Sequence, residues 1–513
     1  MYRTSTDFQR VQAETFVSAG VEAEAVILYI SKEELEQEAW INDGVDHAIR
    51  QLRDRKLFKA EPHEAYVLPT LGLLPQPYVI LIGIGGAPYD LDTFRDGAIF
   101  AAKAARKHRI GSAAVSFTRL PAHAGAEKVI SGAAAAAVRE SASIVRKAAE
   151  GFVLGEYTLP SYAEGGKAAT KLKQVTFILA QPPEDYAVSE LQKGVINAES
   201  TNYARDLTNL PGNMLTPQGL AEEAVRVAQA HGMKYEILDE TSIEEKGMGG
   251  LLAVGKGSVH PPRMITVTYQ GKEAWTDVLG LVGKGVTFDT GGISLKKGEG
   301  MEEMISDMGG AATLLGMLDA VGRLKPEVNL VVVIPAAENM PAGNAFKPGD
   351  IITSLSGRTI EVLNTDAEGR IVLADGMTYA KQLGAAKLID VATLTGAILV
   401  NFADVATGAV TNDETFLQDI LTASRRAGEK VWPLPSYPEY WNMLKSDVAD
   451  LKNAAGRHAA AITGGLFIGT FADGLPWVHL DTGGTAWLWS EKGTEPKGAT
   501  GSMVRTLIEM LTD

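Results

Sequence analysis

The chain has 513 residues, 45% of them hydrophobic and 22% charged, with a formal net charge of −15. That length suggests about two to four domains of an ordinary globular protein. The absence of cysteine excludes disulfides, thiolate nucleophiles and cysteine-based metal sites, and the acidic balance argues against a nucleic-acid partner.

The start, Met1 to Asp7, has no apolar core behind basic residues, and no segment reaches the roughly 18 unbroken apolar residues of a membrane helix. The expectation is a cytoplasmic protein with no membrane partner. Strands are predicted at Ala25–Ile30, Ala65–Leu68, Tyr78–Ile82, Ser112–Phe117 and Gln174–Ala180, with helices at Leu91–Lys107 and Ala124–Ala149. Such alternation predicts a first α/β domain over residues 1–180. Gly83-Ile84-Gly85-Gly86 resembles the start of a dinucleotide-binding loop, but Pro88 stands where the third glycine belongs, so a tight turn is the better reading. The prolines of Gln181–Asp185 mark a boundary. A second domain, 181–513, is predicted to begin with a polar helix from Tyr186 to about Leu207.

Alternation resumes after 214. A helix is predicted at Ala221–His231, with strands at Lys234–Leu238 and Met264–Tyr269. The runs Asp277–Val282, Val328–Ile334 and Lys387–Ala392 are continuously apolar, as strands buried on both faces are. Helices are expected at Gly310–Leu324, Ile371–Gln382 and Glu414–Ala427, and a strand at Thr359–Leu363. Gly250–Lys256 nearly makes a phosphate-binding loop. It lacks the Ser or Thr that would hold magnesium, and no helix is expected after it. The fold class is therefore α/β with two α/β domains. The larger C-terminal one is a mixed sheet flanked by helices.

Four turns in the second domain carry charged residues next to glycines: Gly283–Gly292, Ile293–Lys296, Met304–Gly310 and Asn364–Arg370. They supply Asp289, Asp307, Asp366 and Glu368. Carboxylates that converge repel unless a cation neutralises them. Four of them can hold two divalent ions about 3.5–4 Å apart. The alternatives are an acidic solvated turn at Asp366–Glu368, a helix cap at Asp289 or Asp307, and a surface lysine at Lys284. No H-E-x-x-H motif and no G-x-S-x-G elbow competes.

Asn364-Thr365-Asp366-Ala367-Glu368-Gly369-Arg370 matches the signature of the leucyl aminopeptidase, or cytosol aminopeptidase, family. Gly283–Lys296, Glu299–Met308, Pro348–Asp350, Asp390–Ala397, Ala204–Asn213 and Lys497–Gly501 also resemble its segments. The likeness runs from about residue 200 to the end, while the N-terminal third resembles the family only in layout. The resemblance implies a metal-dependent aminopeptidase that releases leucine and other, mainly apolar, N-terminal residues from peptides. One metal would sit on Asp289, Asp366 and Glu368, the other on Lys284, Asp289, Asp307 and Glu368. The pair would be manganese or zinc, with magnesium a further candidate. Lys296 and Arg370 would be catalytic, with bicarbonate on Arg370. Met304, Asn364, Thr393, Leu394 and Gly396 would surround the peptide. A homohexamer, a dimer of trimers, is also implied, and Trp477, Trp487 and Trp489 would pack either its interface or the subunit core. Lys297-Gly298 and Asn453–Ala459 depart from the commonest family pattern, which leaves side-chain preference open. Two rival readings are a two-metal phosphoesterase and a binding protein with a secondary DNA-binding role.

Overall fold

The computed structural model describes residues 22–37, 39–116, 133–163, 171–178 and 185–512. It forms two compact units, Met1–Glu199 with Lys492–Glu495, and Ser200–Glu491 with Pro496–Asp513.

The first unit holds a five-stranded sheet of β1 (Ala25–Ile30), β2 (Ala65–Pro69), β3 (Tyr78–Gly83), β4 (Ser112–Ser116) and β5 (Gln174–Ile178), in the order β2-β3-β1-β4-β5. Only β2 runs antiparallel. Side chains on a strand alternate faces. Ile27, Tyr29, Ile80 and Ile82 therefore enter one core with Phe94 of the Leu91–Lys107 helix and Phe152 of the Ala133–Gly155 helix. Ile30, Val79 and Leu81 enter another core with Val45 and Ile49 of the Asp43–Asp54 helix. The predicted elements at 117, 124–132 and 179–180, and the boundary residues 181–184, lie outside the described residues. Acid lies beside the turn after β3: a β-carbon on Gly86 would stand 3.1 Å from Glu33 Oε1, and that carboxylate would repel a phosphate.

The second unit is built on β6 (Lys234–Leu238), β7 (Arg263–Gln270), β8 (Val278–Gly283), β9 (Gly285–Asp289), β10 (Asn329–Asn339), β11 (Ile351–Thr353), β12 (Thr359–Glu361), β13 (Ala385–Ala392), β14 (Thr407–Thr411), β15 (Val431–Pro433), β16 (Leu451–Lys452) and β17 (Trp477–Asp481). Its main sheet runs β15-β14-β17-β13-β8-β10-β7-β6, with β9 also on β10. The centre, β17-β13-β8-β10, is parallel. Val282 lies against Gly376 of the Glu368–Gln382 helix, and Gly283 against Leu314 of the Gly309–Leu324 helix. Successive residues face opposite sides, so a helix covers each face of the sheet.

Two expectations change. Gly249–Gly255 is itself a short helix, because Leu251 and Val254 are buried against the core and that burial overrides the poor helix propensity of its glycines. The strand predicted at Thr359–Leu363 ends at Glu361: β12 pairs with β16 up to that residue, and the backbone then leaves the sheet to present residues 363–367.

Candidate active site

In open α/β sheets, ligands bind beyond the carboxyl ends of the strands. Here β8 ends at Gly283, just before Lys284. β9 ends on Asp289, β10 on Asn339, β13 just before Thr393, and β17 on Asp481. Asp366 and Glu368 arrive from the turn after β12. Glu368 is the first residue of a helix, so the turn into that helix brings the two carboxylates together. Ligand oxygens of Asp289, Asp366 and Glu368 all lie within 4.8 Å of one another.

Two lysines stitch the carboxylates together. Lys284 Nζ lies 2.7 Å from Asp307 Oδ2 and 2.9 Å from Glu368 Oε1, and donates to Thr393 O at 3.0 Å. Lys296 Nζ lies 2.8 Å from Asp289 Oδ2 and also pairs with Asp366. Lys284 is 3% exposed, so it is no surface lysine. Gly369 makes room for it: a β-carbon there would stand 2.4 Å from Lys284 Cε. Asp307 caps nothing. It lies in the 3-10 turn Met301–Met308, and the next helix starts from Met308 without a side-chain cap. Asp289 Oδ1 accepts from Gly291 N and Asn339 Nδ2, each at 2.8 Å, which is a turn rather than a helix cap.

The electrostatics follow from crowding. Burial, then the Glu368 charge, push Asp289 up to about 6, against the pull of the two lysines. Burial raises Asp307 well above the usual carboxylate range and raises Asp366 as well. Burial works the same way on Glu368, but Lys284 and Lys296 outweigh it and hold its pKa low. Burial opposes both ammonium groups, yet the surrounding carboxylates raise the pKa of each. Arg370 is buried, which lowers its pKa. Its Nη1 donates to Asn453 O at 2.8 Å, its Nε has no hydrogen-bond partner, and no carboxylate pairs with it among the described residues.

The donor set suits hard divalent cations. Asp307 Oδ2, Asp366 Oδ1 and Glu368 Oε1 are buried oxygens without a well-directed hydrogen bond, each facing only a lysine charge. Oxygen-rich clusters of this kind match magnesium, manganese or zinc.

The remaining predicted residues are close by. Met304 is half-buried in the turn that carries Asp307. Asn364 Oδ1 accepts from Asp366 N at 3.0 Å. Thr393 donates from Oγ1 to Asp307 Oδ1 at 2.8 Å, while its carbonyl is engaged by Lys284. Leu394 is half-buried, and Gly396 is exposed at the start of the Gly396–Phe402 helix. Trp477 is fully buried and donates to Asp390, whereas Trp489 is exposed.

Sequence reasoning missed three side chains that hold these turns. Asn339 Nδ2 bonds both Asp289 and Thr365 O. Asp481 accepts from Leu394 N at 3.1 Å and from Thr395 Oγ1 at 2.7 Å. Asn453 spans residues 363–367. The signal available was a polar residue placed where an apolar strand run stops.

A model of the cytosol aminopeptidase family's catalytic domain matches residues 202–508, and a model of that family's N-terminal domain matches 25–165. The likeness thus reaches into the N-terminal third, beyond the motifs. A probable cytosol aminopeptidase of Alkaliphilus metalliredigens (strain QYMF) is 45% identical over 468 residues, 90% of each chain. One from Alkaliphilus oremlandii (strain OhILAs) is 42% identical over 474 residues, 91% of each. Among solved structures, a tomato leucine aminopeptidase mutant superposes with a TM-score of 0.85 at 29% identity, covering 98% of this chain and 97% of that one. The bottromycin maturation enzyme BotP in complex with Mn gives 0.81 at 34% identity, covering 95% and 99%.

Proposed function

This chain belongs to the cytosol aminopeptidase family and is a metal-dependent aminopeptidase, and on that premise we propose which of its residues do the work. Asp289, Asp366 and Glu368 would hold one divalent ion, and Lys284, Asp289, Asp307 and Glu368 the other. The single observation that carries this is the convergence of buried carboxylate oxygens on two lysines. Divalent charge beside Lys284 disfavours its ammonium form, which frees the amine lone pair for ligation.

When bound, such ions supply a water acidified to near neutrality and a Lewis acid for the scissile carbonyl. The protein's own groups do the rest. Lys296, held at the edge of the cluster by Asp289 and Asp366, donates from Nζ to the oxygen on which negative charge develops. Arg370 keeps its Nε free of protein partners, which suits a planar anion such as bicarbonate. A guanidinium fork would orient that anion as lysine would not, and Arg370 would thereby hold a proton-relaying group near the leaving amine. Met304 lines an adaptable apolar pocket, which favours leucine and other apolar N-terminal residues. Asn364, Thr393, Leu394 and Gly396 flank the peptide backbone.

Manganese or zinc is the expected pair, with magnesium next. BotP, a structural relative, has been solved in complex with Mn. A homohexamer built as a dimer of trimers, a cytoplasmic location and a domain boundary at 180/181 complete the proposal. No helix among the described residues is long and apolar enough to cross a membrane.

The test is an assay of a leucine arylamide, its N-acetylated form and an aryl phosphate, after chelation and with each metal restored. Hydrolysis of the unblocked amide alone, lost on chelation and regained with metal, is expected. Hydrolysis of the phosphate alone would replace this reading with the phosphoesterase.

A further inference from the structure

Residue 453 stands 83 positions or more from the turn it serves, and its side chain has no exposed surface. It directly follows β16, and its N–H donates to Glu361 O at 2.9 Å. That bond fixes it beside the point where β12 stops. Its Oδ1 accepts from Leu363 N at 2.8 Å and from Asn364 N at 3.3 Å. Its Nδ2 donates to Asn364 O at 2.6 Å and Ala367 O at 3.3 Å. Its own carbonyl accepts from Arg370 Nη1 at 2.8 Å.

One carboxamide therefore closes both ends of the segment 363–367, which contains Asp366 and leads into Glu368. The helix that Glu368 opens has no side-chain cap of its own, since Ala367 sits at the cap position. Asn453 Nδ2 donates to the Ala367 carbonyl and so fixes the backbone just ahead of the helix, although it does not cap the helix's first N–H groups. Only a carboxamide can serve here. An aspartate could accept from the two N–H groups but could not donate to the two carbonyls.

We propose that Asn453 is a positioning residue that sets the divalent-ion affinity of the Asp366–Glu368 pair and, through its carbonyl, the aim of Arg370. This rests on the assignment of Asp366 and Glu368 as metal ligands. Groups that orient metal ligands without touching the metal typically change affinity or activity by about 10–100-fold when removed. Asn453 acts on the ligand spacing through the backbone that carries both carboxylates.

The experiment titrates chelator-treated full-length protein with Mn2+ by calorimetry, beside a melting curve. Asn453→Ala should bind Mn2+ about 10–100-fold more weakly. Asn453→Ser, which keeps a short acceptor for Leu363 N, should lie between it and the parent, and it carries the test if the alanine variant fails to fold. Asp375→Ala is the control for general softening. Asp375 lies on the same helix and accepts from Leu251 N at 2.9 Å and Leu355 N at 2.7 Å, away from the carboxylate cluster. It should lower the melting point and leave Mn2+ affinity within about twofold. Parent-like affinity in folded Asn453 variants overturns the proposal, and so does an equal loss in Asp375→Ala. Glu368→Gln separates the two levels of the argument. If it too binds as the parent does, the ligand assignment falls and takes the proposal with it. If only the Asn453 variants bind normally, the positioning role alone falls.

Discussion

Both units end a buried parallel strand in a glycine-containing turn, and the two turns do opposite things. In the first unit the turn after β3 is closed by its neighbours: a β-carbon on Gly83 would meet the Ala60 and Glu61 backbone, and one on Gly86 would meet Glu33. In the second unit the turn after β8 opens onto Asp307 and Glu368, with Lys284 between them. Buried acids differ in the same way. Glu156 of the first unit is 2% exposed, and among the described residues neither oxygen has a well-directed hydrogen bond. Asp289, Asp307, Asp366 and Glu368 of the second unit are instead clustered and cross-linked by ammonium groups. A glycine turn at a strand end is therefore only an opening, and the charges packed around it decide whether it becomes a site.

Breaking the charge cluster around the second turn should have the largest effect. Lys296→Ala should lower kcat by about 10²–10³-fold, the usual loss when one donor to a developing oxyanion is removed. Retained Mn2+ binding would separate that role from metal ligation, and kcat within twofold of the parent would refute it. Gly369→Ala comes next. Its added methyl must displace Lys284, and a misplacement of about 1 Å near reacting groups costs about 10²-fold. Steady-state kinetics beside an unchanged melting point would show that the damage is local.

The first unit answers to pH instead. Burial first, with Arg106 opposing, takes Glu156 from an ordinary 4.5 up to about 7. A carboxyl raised in the folded state favours folding below its unfolded pKa, and that advantage is lost as pH rises through the folded value. The first unit should therefore lose stability between about pH 4.5 and 7, by at most roughly 3 kcal/mol. Glu156→Gln should flatten that dependence and raise the melting point above pH 7. A parent-like slope in the variant would show that Glu156 is not its source. The smallest effect is expected from Gly86→Ala, whose methyl meets the far end of the flexible Glu33 side chain. Stability should change by less than about 0.5 kcal/mol, and peptidase activity not at all.

What could be read from the chain depended on how local its cause was. The helices Leu91–Lys107 and Glu414–Ala427 have the bounds their pattern suggests, because Asp90 and Asp413 cap their starts and Gly428 ends the second. β1 and β6 were equally plain as short runs between breakers. The Gly249–Gly255 helix was not legible, since only distant packing forms it. At the site, the motif residues were visible as charges beside glycines, and the structure brings Lys284, Asp289, Lys296, Asp307, Asp366 and Glu368 together. The positioning roles of Asn339, Asn453 and Asp481 were not legible, although Asn453 opens a segment that departs from the family pattern. Their partners lie 50, 89 and 87 residues away, and no spacing rule connects them.

Trp489 gives this arrangement an optical handle. Its indole is 60% exposed, and Nε1 donates to Glu303 Oε2 at 2.6 Å, one residue before Met304. An indole half in water emits according to the dipoles around it. If a peptide settles against Met304, as proposed above, those dipoles change, and a shift in intrinsic fluorescence reports it without a label. Trp477, fully enclosed and bonded to Asp390, adds to the same spectrum from a site shielded from water.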